Sequence, residues 1–354
     1  MVGAFVLEEH AVYNTTKKIG YILTSDRLTV DVCKVAILKA AKGKKRRPSV
    51  KRTLHNLDAR AEKLRNLIID GTYVPSPYTV CNVIDHPSGK ARVLHKPKFF
   101  PDQCVHHVII LLIGEEILKR LDPYAIASVP NRGTHYGWRA IRKWLNRSKS
   151  NTRYCLKCDI RKCYESIKPE VVVSSLATFI KDKFFLRLVS KVAHSHTCLP
   201  LGNYTSGWFQ NLLLRFMDIA VRKSGLVKHY LRYVDDFIAL SGNKRALMKV
   251  RIIIVEELQK LGLKLKDNWQ IFPVADRGID IIGYRFFHSY ILLRKRNLLG
   301  LIRCIRSYNK KVTAKKARSL LSRIGFCKWF NSYHFWQKYC SNLDFKKIKK
   351  EAYA

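Results

Sequence analysis

Apolar residues recur at helix-like spacing in the first part of the chain. Val30 to Ala41 and Leu54 to Ile69 both show this spacing, and the second stretch stops at Asp70-Gly71. Between them, Lys44-Lys45-Arg46-Arg47-Pro48 is a charge run that glycine and proline keep open. Such a run is either solvated surface or an RNA contact. The pattern predicts a basic helical N-terminal segment over residues 1–75.

Shorter β-type patterns follow this segment. Asn82 to Pro97 contains two β segments around a Pro-Ser-Gly turn, which predicts a hairpin. Lys90 and Arg92 then project from the same face, because side chains alternate along a strand. On its own this is an ordinary basic hairpin.

A second hairpin is predicted at Leu231 to Leu240, where two apolar tetrads flank Asp235 and Asp236. Two adjacent carboxylates repel each other, so a buried or cleft-lining pair normally faces a cation. A lone Asp-Asp pair is more often a solvated turn. The stretch from Tyr154 to Asp159 favours a cation site over a solvated turn, because it predicts a short strand that ends in a third acid. Three such carboxylates provide the oxygen ligands that hold two Mg²⁺ ions in phosphoryl and nucleotidyl transfer.

A glycine- and hydroxyl-rich turn lies between these two acidic stretches. It runs from Leu199 to Gly207 and leads into an apolar helix that the pattern places at Trp208 to Ala220. A turn of this kind lets other groups approach the backbone closely.

The charge of the chain indicates a polyanionic partner. There are 67 Lys and Arg residues against 26 Asp and Glu residues, a net charge of +41, and nucleic acid is the natural partner for such an excess. Membrane phosphate is disfavoured, because the longest apolar run, Val108 to Ile113, is far shorter than a bilayer span of about 20 residues. The first residues, Met1 to Leu7, lack the basic start of a secretory leader.

The ten cysteines are scattered along the chain, which suits a reducing cytosol. Cys155 and Cys158 have the spacing of a zinc half-site. No second pair follows, and His194 and His196 are not at a recognised finger spacing, so we interpret both cysteines as packing residues of the strand before Asp159.

The order of these blocks resembles motifs A, B and C of reverse transcriptases. The resemblance runs from roughly Asn56 to the C-terminus, and it is greatest for prokaryotic enzymes of diversity-generating retroelements. The matching blocks are the Asp159 strand, Leu199 to Ser206, Tyr233-Val234-Asp235-Asp236 and Gly278 to Tyr284. The resemblance implies an α+β right-hand polymerase fold, with fingers and palm interleaved over 76–290 and a short basic helical thumb over 291–354.

The resemblance also implies a set of site residues. Asp159, Asp235 and Asp236 would be the catalytic acids, binding two Mg²⁺ ions, or Mn²⁺ as a substitute, together with the backbone of Ile160. The nucleotide would be bound by Lys90, Arg92, Arg161, Lys162, Cys163, Tyr164, Leu201 and Gly202. The template and primer would be contacted by Ser206, Tyr233, Gly283 and Tyr284.

Tyr164 has a specific role in this scheme. Members of the family carry a bulky aromatic residue there, which blocks a ribose 2′-hydroxyl and so selects dNTPs. Taken alone, Tyr164 would be a core tyrosine.

Two positions depart from the family's pattern. Leu201 stands where retroviral enzymes carry Gln, and an aliphatic residue at this position resembles error-prone retroelement enzymes. Gly207 stands where many bacterial relatives carry Gln. The lysine expected after the hairpin has two candidates, Lys264 and Lys266, and we assign no general acid.

The resemblance therefore implies RNA-templated DNA synthesis, used for mutagenic copying of a template-repeat RNA in a prokaryotic or phage-encoded system of the cytoplasm. The partners would be template RNA, primer or cDNA, dNTPs and a small basic accessory protein. One alternative is a defence-associated, retron-like or group II intron-derived enzyme. Another is a catalytically silent basic RNA-binding protein, although the three acids are intact.

Overall fold

The computed structural model describes residues 18–85 and 89–353, apart from the side chains of Asp85 and Lys90. The helices of this part are α1 Val30–Ala41, α2 Pro48–His55, α3 Leu57–Ile69, α4 Cys104–Leu118, α5 Thr134–Arg147, α6 Cys163–Ser166, α7 Pro169–Ala177, α8 Lys183–Ala193, α9 Tyr204–Lys223, α10 Lys244–Lys260, α11 Val274–Arg277, α12 Lys295–Lys310, α13 Ala314–Ile324, α14 Tyr333–Tyr339 and α15 Phe345–Tyr353. The strands are β1 Thr79–Asp85, β2 Lys90–Lys96, β3 Tyr154–Asp159, β4 His229–Tyr233, β5 Asp236–Ser241, β6 Gln270–Pro273, β7 Ile279–Ile281, β8 Tyr284–Phe286 and β9 Ile291–Leu293.

The described part of the N-terminal segment is helical over most of 30–69, as its apolar spacing predicts, whereas residues 1–17 of that segment lie outside the described residues. Thr29 caps α1 by accepting a hydrogen bond from the backbone N–H of Val32 at 3.2 Å. The stretch from Leu54 to Ile69 is not one helix, however, because Asn56 separates α2 from α3. The buried faces of α1 and α3 belong to the same apolar core as α4 and α9, so this segment packs directly on the rest of the protein.

Helix α4 carries the apolar run that the sequence shows at Val108 to Ile113. It is buried along most of its length and packs against α1 and α9, so its hydrophobicity is explained by the core. In the part of the chain that the structure describes, no helix is long and apolar enough to cross a membrane.

Four antiparallel strands form the central sheet, in the order β4-β5-β3-β6. Alternation along the strands gives the sheet two faces. One face, including Leu156 and Phe237, packs on α9 and α10, whereas the other, including Cys155 and Ile238, faces α5 and the β7-β8-β9 sheet. Cys155 and Cys158 lie in different clusters on opposite faces, so their thiols do not converge on a metal ion.

The C-terminal part differs from its sequence interpretation at one boundary. The basic helical thumb expected over 291–354 does not begin with a helix: Ile291–Leu293 is β9, which pairs antiparallel with β8, and α12 begins at Lys295. The predicted boundary between 290 and 291 thus lies immediately before a strand of the β7-β8-β9 sheet. Helices α12, α13 and α15 share a separate apolar cluster that includes Leu301, Leu320 and Ile348.

Candidate active site

The three acids named from the sequence meet at one edge of the central sheet. Asp159, the last residue of β3, lies directly opposite Asp236, the first residue of β5. Residues opposed in this way have Cβ atoms about 5 Å apart. Asp235 lies in the two-residue turn between β4 and β5, and its carbonyl accepts a hydrogen bond from the backbone N–H of Ile160 at 3.1 Å. Sheet pairing therefore gathers carboxylates that are 77 residues apart in the chain.

The turn that carries Asp235 is strained. Val234 has a φ of +61°, which is rare for a β-branched residue and costs about 1–3 kcal/mol. Strain of this kind persists only where the surrounding structure over-determines the backbone, and it clusters at functional sites.

Cationic side chains approach the acids. Lys266 forms an ion pair with Asp159 Oδ2, and Lys157 Nζ lies 4.0 Å from Asp236 Oδ2. The side chain of Lys264 is exposed, and its backbone carbonyl accepts from the N–H of Arg161 at 2.8 Å. Of the two lysines that the sequence left as rivals, Lys266 is the one that reaches an acid.

The charge state of the acids reflects their burial. Burial raises the pKa of the Asp235 carboxyl, the charge of Asp159 raises it further, and Lys266 and Arg92 lower it only partly. Burial likewise raises the pKa of Asp236 to about 7, against the lowering effect of Lys157. Desolvation of the two carboxyls therefore outweighs the lowering effect of the nearby lysines.

The donor set fits a divalent cation. Asp159 Oδ1 and Asp236 Oδ1 are buried and have no hydrogen-bond partner among the described residues, and carboxylate oxygens are the ligands that Mg²⁺ prefers. Within residues 18–85 and 89–353, no three acidic, histidine or cysteine side chains already converge to enclose a metal ion. Because Lys266 is paired with Asp159, a metal ion would have to compete with that ammonium group.

The raised pKa of Asp236 leads to a prediction on stability. A folded pKa of about 7 lies above the unfolded value of about 4, so the folded protein binds more protons between these values and loses stability as the pH rises from 4 to 7. In EDTA above pH 7, Asp236→Asn should therefore raise the melting temperature, and Mg²⁺ should stabilise the wild type more than the variant. Thermal denaturation at pH 5 and pH 8 measures this difference in stability. Asp276→Asn, at an exposed acid, is the control. An Asp236→Asn variant that is no more stable than wild type at pH 8 would contradict the prediction.

A cavity of about 530 Å³ lies beside the acids. Tyr233, which pairs with Asp236 across the hairpin, is part of its wall. Five of the binding residues that the resemblance implies line this cavity together: Tyr164, Leu201, Gly202, Ser206 and Tyr233. The remaining wall comes mainly from residues 126–133, which the sequence analysis did not assign to the site.

Tyr164 lines this cavity near Gly207. A Cβ atom at Gly207 would be 2.9 Å from the Ser128 hydroxyl oxygen and 3.9 Å from the Tyr164 hydroxyl oxygen. Burial raises the pKa of Tyr164 above its ordinary value, so its hydroxyl stays protonated at neutral pH. Gly207, a departure from the family's pattern, leaves room for the side chain of Ser128.

Gly202 joins the cavity to the first hairpin. Its φ is +132°, and a Cβ atom there would be 2.2 Å from the His95 carbonyl oxygen. The N–H of His95 in turn donates to the carbonyl of Leu201 at 2.8 Å. The resemblance implies that this glycine binds the nucleotide, and in the structure the backbone of β2 also approaches it closely.

This contact leads to a second prediction. Gly202→Ala combines a backbone clash with an unfavourable φ, so we expect it to lower the free energy of unfolding by about 2–4 kcal/mol. Gly225→Ala is a matched control, since its φ is +65° and its Cβ atom would have no neighbour within 4 Å; it should cost about 1–2 kcal/mol. Denaturant unfolding measures both, and equal losses would show that the His95 contact contributes nothing.

The other predicted nucleotide-binding residues lie around this region. Arg92 is exposed on β2, and its charge lowers the pKa of Asp235. The side chain of Lys90 lies outside the described residues. Arg161 and Lys162 are exposed, and Lys162 has a left-handed φ of +44°. Cys163 is buried, and its sulfur accepts a hydrogen bond from Gln210 Nε2 at 3.1 Å.

Two of the predicted template and primer contacts have structural roles. The Ser206 hydroxyl is buried and donates to the Pro200 carbonyl at 2.8 Å, which closes the turn. Tyr284 has no exposed surface, so its side chain is not placed to touch nucleic acid. Gly283, with a φ of +93°, accepts from the N–H of Arg294 at 3.0 Å. Among these four residues, Tyr233 is the one whose partly exposed side chain faces the cavity.

Sequence reasoning did not single out Arg232. This residue is completely buried within β4 and pairs with the equally buried Asp218. The signal was present, because an arginine in the middle of an apolar strand needs a buried acid. The sequence pattern does not show which acid it is.

The comparisons with known proteins define the class. The family model described as reverse transcriptase (RNA-dependent DNA polymerase) matches residues 100–286, more than half of the 354-residue chain. The protein has the right-hand polymerase fold, in which mixed helices and strands carry the acids at the edge of the central sheet. The chain belongs to the reverse transcriptase family.

Among solved structures, the chain is similar to a telomerase from Candida albicans in complex with the TWJ fragment of telomeric RNA. The two are 12% identical, with a TM-score of 0.46, and the match covers 75% of this chain. The chain spans 57% of the length of that telomerase chain. Among curated proteins, no sequence matches this chain.

Proposed function

We propose that this protein is an RNA-directed DNA polymerase that makes cDNA from an RNA template. The observation that carries the proposal is the opposition of Asp159 and Asp236 beside Asp235, at a sheet edge that adjoins the cavity lined by Tyr164 and Tyr233. Family membership supports the same reaction. The net charge of +41 suits a template–primer duplex and dNTPs as partners.

In this proposal Asp159 and Asp235 hold the divalent ions, with the backbone of Ile160 and with Asp236 as the weaker third acid. Two bound Mg²⁺ ions would activate the primer 3′-hydroxyl and neutralise the departing pyrophosphate. The residues of the chain supply position and shape. Sheet pairing holds Asp159 opposite Asp236, and the hydrogen bond from the Ile160 N–H holds the backbone of Asp235 beside them, which is how an active site gains from orientation.

The other residues set the substrate. Arg92 would grip the triphosphate with its planar guanidinium group, together with Lys90, and the backbone of residues 160–163 would lie beside it. Tyr164 would exclude the ribose 2′-hydroxyl from the cavity. Tyr233 would support the primer end next to Asp236.

The direct test is primer extension by purified protein on an RNA template with Mg²⁺. Synthesis that requires dNTPs, the template and the metal ion is the expected result. No DNA synthesis even after addition of the native RNA and any accessory protein would overturn the proposal and favour a basic RNA-binding protein.

We further propose that the copying is mutagenic and serves a diversity-generating retroelement of a prokaryote or phage, in the cytoplasm and with a small basic accessory protein. This finer proposal rests on the resemblance of the sequence and on Leu201, which places an aliphatic side chain in the wall of the cavity. A polar side chain there would add a contact that depends on correct geometry of the incoming nucleotide.

Leu201→Gln should therefore lower misincorporation. One added hydrogen bond is worth about 1 kcal/mol, so we expect the error frequency to fall by roughly fivefold. Sequencing of cDNA from wild type, Leu201→Gln and the apolar control Leu201→Met checks this. An unchanged error spectrum in the Gln variant would refute the role given to Leu201.

A further inference from the structure

Arg232, on strand β4 of the hairpin that carries Asp235, forms a buried bidentate ion pair with Asp218. Its Nε atom lies 2.9 Å from Asp218 Oδ1, and its Nη2 atom lies 2.7 Å from Asp218 Oδ2. Both side chains have no exposed surface. The Tyr230 hydroxyl also donates to Asp218 Oδ1, at 2.7 Å. The carboxylate on α9 thus fixes the plane of the guanidinium group through two parallel hydrogen bonds.

The third nitrogen of this guanidinium group reaches the tip of the hairpin. Nη1 of Arg232 donates to the carbonyl of Val234 at 3.1 Å and to Asn211 Oδ1 at 2.9 Å. Because a peptide unit is planar, holding the Val234 carbonyl also holds the N–H and Cα of Asp235. The Asp235 carbonyl is held by Ile160 N–H at 3.1 Å. Both peptide units that flank Asp235 are therefore fixed, and with them the direction in which its carboxylate leaves the backbone.

The same residues reach the wall of the cavity. Asn211 Nδ2 donates to the carbonyl of Ala127 at 2.7 Å, and the backbone carbonyl of Arg232 accepts from the N–H of Ile126 at 3.0 Å. Ile126 and Ala127 both line the cavity. One arginine thus connects the candidate metal ligand to the candidate nucleotide pocket.

Stability alone does not explain this arrangement. Replacing a buried ion pair by neutral or apolar residues is often neutral or stabilising, whereas Val234 is held in a strained conformation next to the acid. We propose that Arg232, oriented by Asp218 and Asn211, is a positioning residue that fixes the Asp235 carboxylate and the adjoining cavity wall for catalysis. The proposal rests on the proposed function for the reaction itself.

The test compares two double variants that each remove one arginine–aspartate pair. Arg232→Met with Asp218→Asn removes the pair but keeps an acceptor for the Tyr230 hydroxyl. The control is Arg222→Met with Asp122→Asn. Arg222 also extends from α9 and pairs with Asp122 at 2.8 Å, and it donates to the carbonyl of Tyr230 at 3.0 Å, at the other end of β4 from the hairpin tip.

The readout is direct binding of Mn²⁺, measured by electron paramagnetic resonance without substrates, together with kcat and KM for primer extension. We expect the Arg232 double variant to bind Mn²⁺ about 10- to 100-fold more weakly, and its kcat to fall more than its KM for dNTP changes. The control pair should leave both within about twofold of wild type. Equal effects of the two pairs, or unchanged Mn²⁺ binding in the Arg232 variant, would overturn the proposal.

Arg232→Lys provides a second variant that keeps the buried positive charge. A single ammonium group cannot make the bidentate pair with Asp218 and also reach Val234 in the same way, so this variant should fold but bind Mn²⁺ less tightly than wild type. Full Mn²⁺ affinity in a folded Arg232→Lys variant would also count against positioning. If the wild type binds Mn²⁺ through Asp235 but makes no cDNA with RNA and accessory factors present, the proposed function is wrong. The positioning role of Arg232 is then decided by the Mn²⁺ affinities of the variants alone.

Discussion

Asp235→Asn is expected to reduce RNA-templated DNA synthesis by about 10³-fold or more. The substitution keeps the shape of the side chain but removes a charge that would hold the catalytic cations, whose stabilisation of the transition state is worth several kcal/mol, and each 1.4 kcal/mol corresponds to a tenfold change in rate. Burial already raises the pKa of this carboxyl, which indicates that its negative charge needs a cation. Single-turnover primer extension on an RNA template with Mg²⁺ measures the effect.

The control for this experiment is Asp276→Asn, since Asp276 is an exposed acid of α11. It should extend primers at the wild-type rate. An Asp235→Asn protein that is folded and synthesises cDNA within tenfold of wild type would show that the acids at the sheet edge are not the catalytic ones.

Tyr164→Ala is expected to admit ribonucleotides. The tyrosine ring lines the cavity, and in the proposed function it excludes the ribose 2′-hydroxyl, so removing it should open space for that group. Steric discrimination of this size is worth about 1–3 kcal/mol, so the preference for dNTP over rNTP should fall by roughly 10- to 200-fold. The ratio of kcat/KM for the two nucleotides on the same primer and template provides the measurement.

Tyr164→Phe separates the steric role from a role of the hydroxyl group. The ring remains, so this variant should discriminate as well as wild type. Undiminished selectivity in Tyr164→Ala would reject the steric role, and a loss of selectivity in Tyr164→Phe would assign it to the hydroxyl group.

Helices and strands were predicted correctly where the spacing of apolar residues fits only one kind of element. The helix at Val30–Ala41, the strand ending at Asp159 and the hairpin at Asp235-Asp236 are present as expected. Residues 291–293 were placed in the helical thumb but form a strand, because a short apolar run suits a buried strand as well as the start of a helix. Pairing with β8 decides in favour of a strand, and that contact is invisible to local spacing.

In the candidate site, too, some residues could be named from the sequence, whereas others depend on contacts between distant parts of the chain. The acids and the glycine-rich turn could be named as candidates from the sequence, because strand ends and turns leave a local signature and carboxylates prefer hard cations. Only the tertiary structure brought Tyr164, Leu201 and Tyr233 around one cavity. It also showed that Gly202 packs against the His95 carbonyl. The partners of Arg232 lie 14 and 21 residues away along the chain, and since a buried charge can be satisfied by any acid that the fold brings near it, only the packing of α9 under β4 selects Asp218.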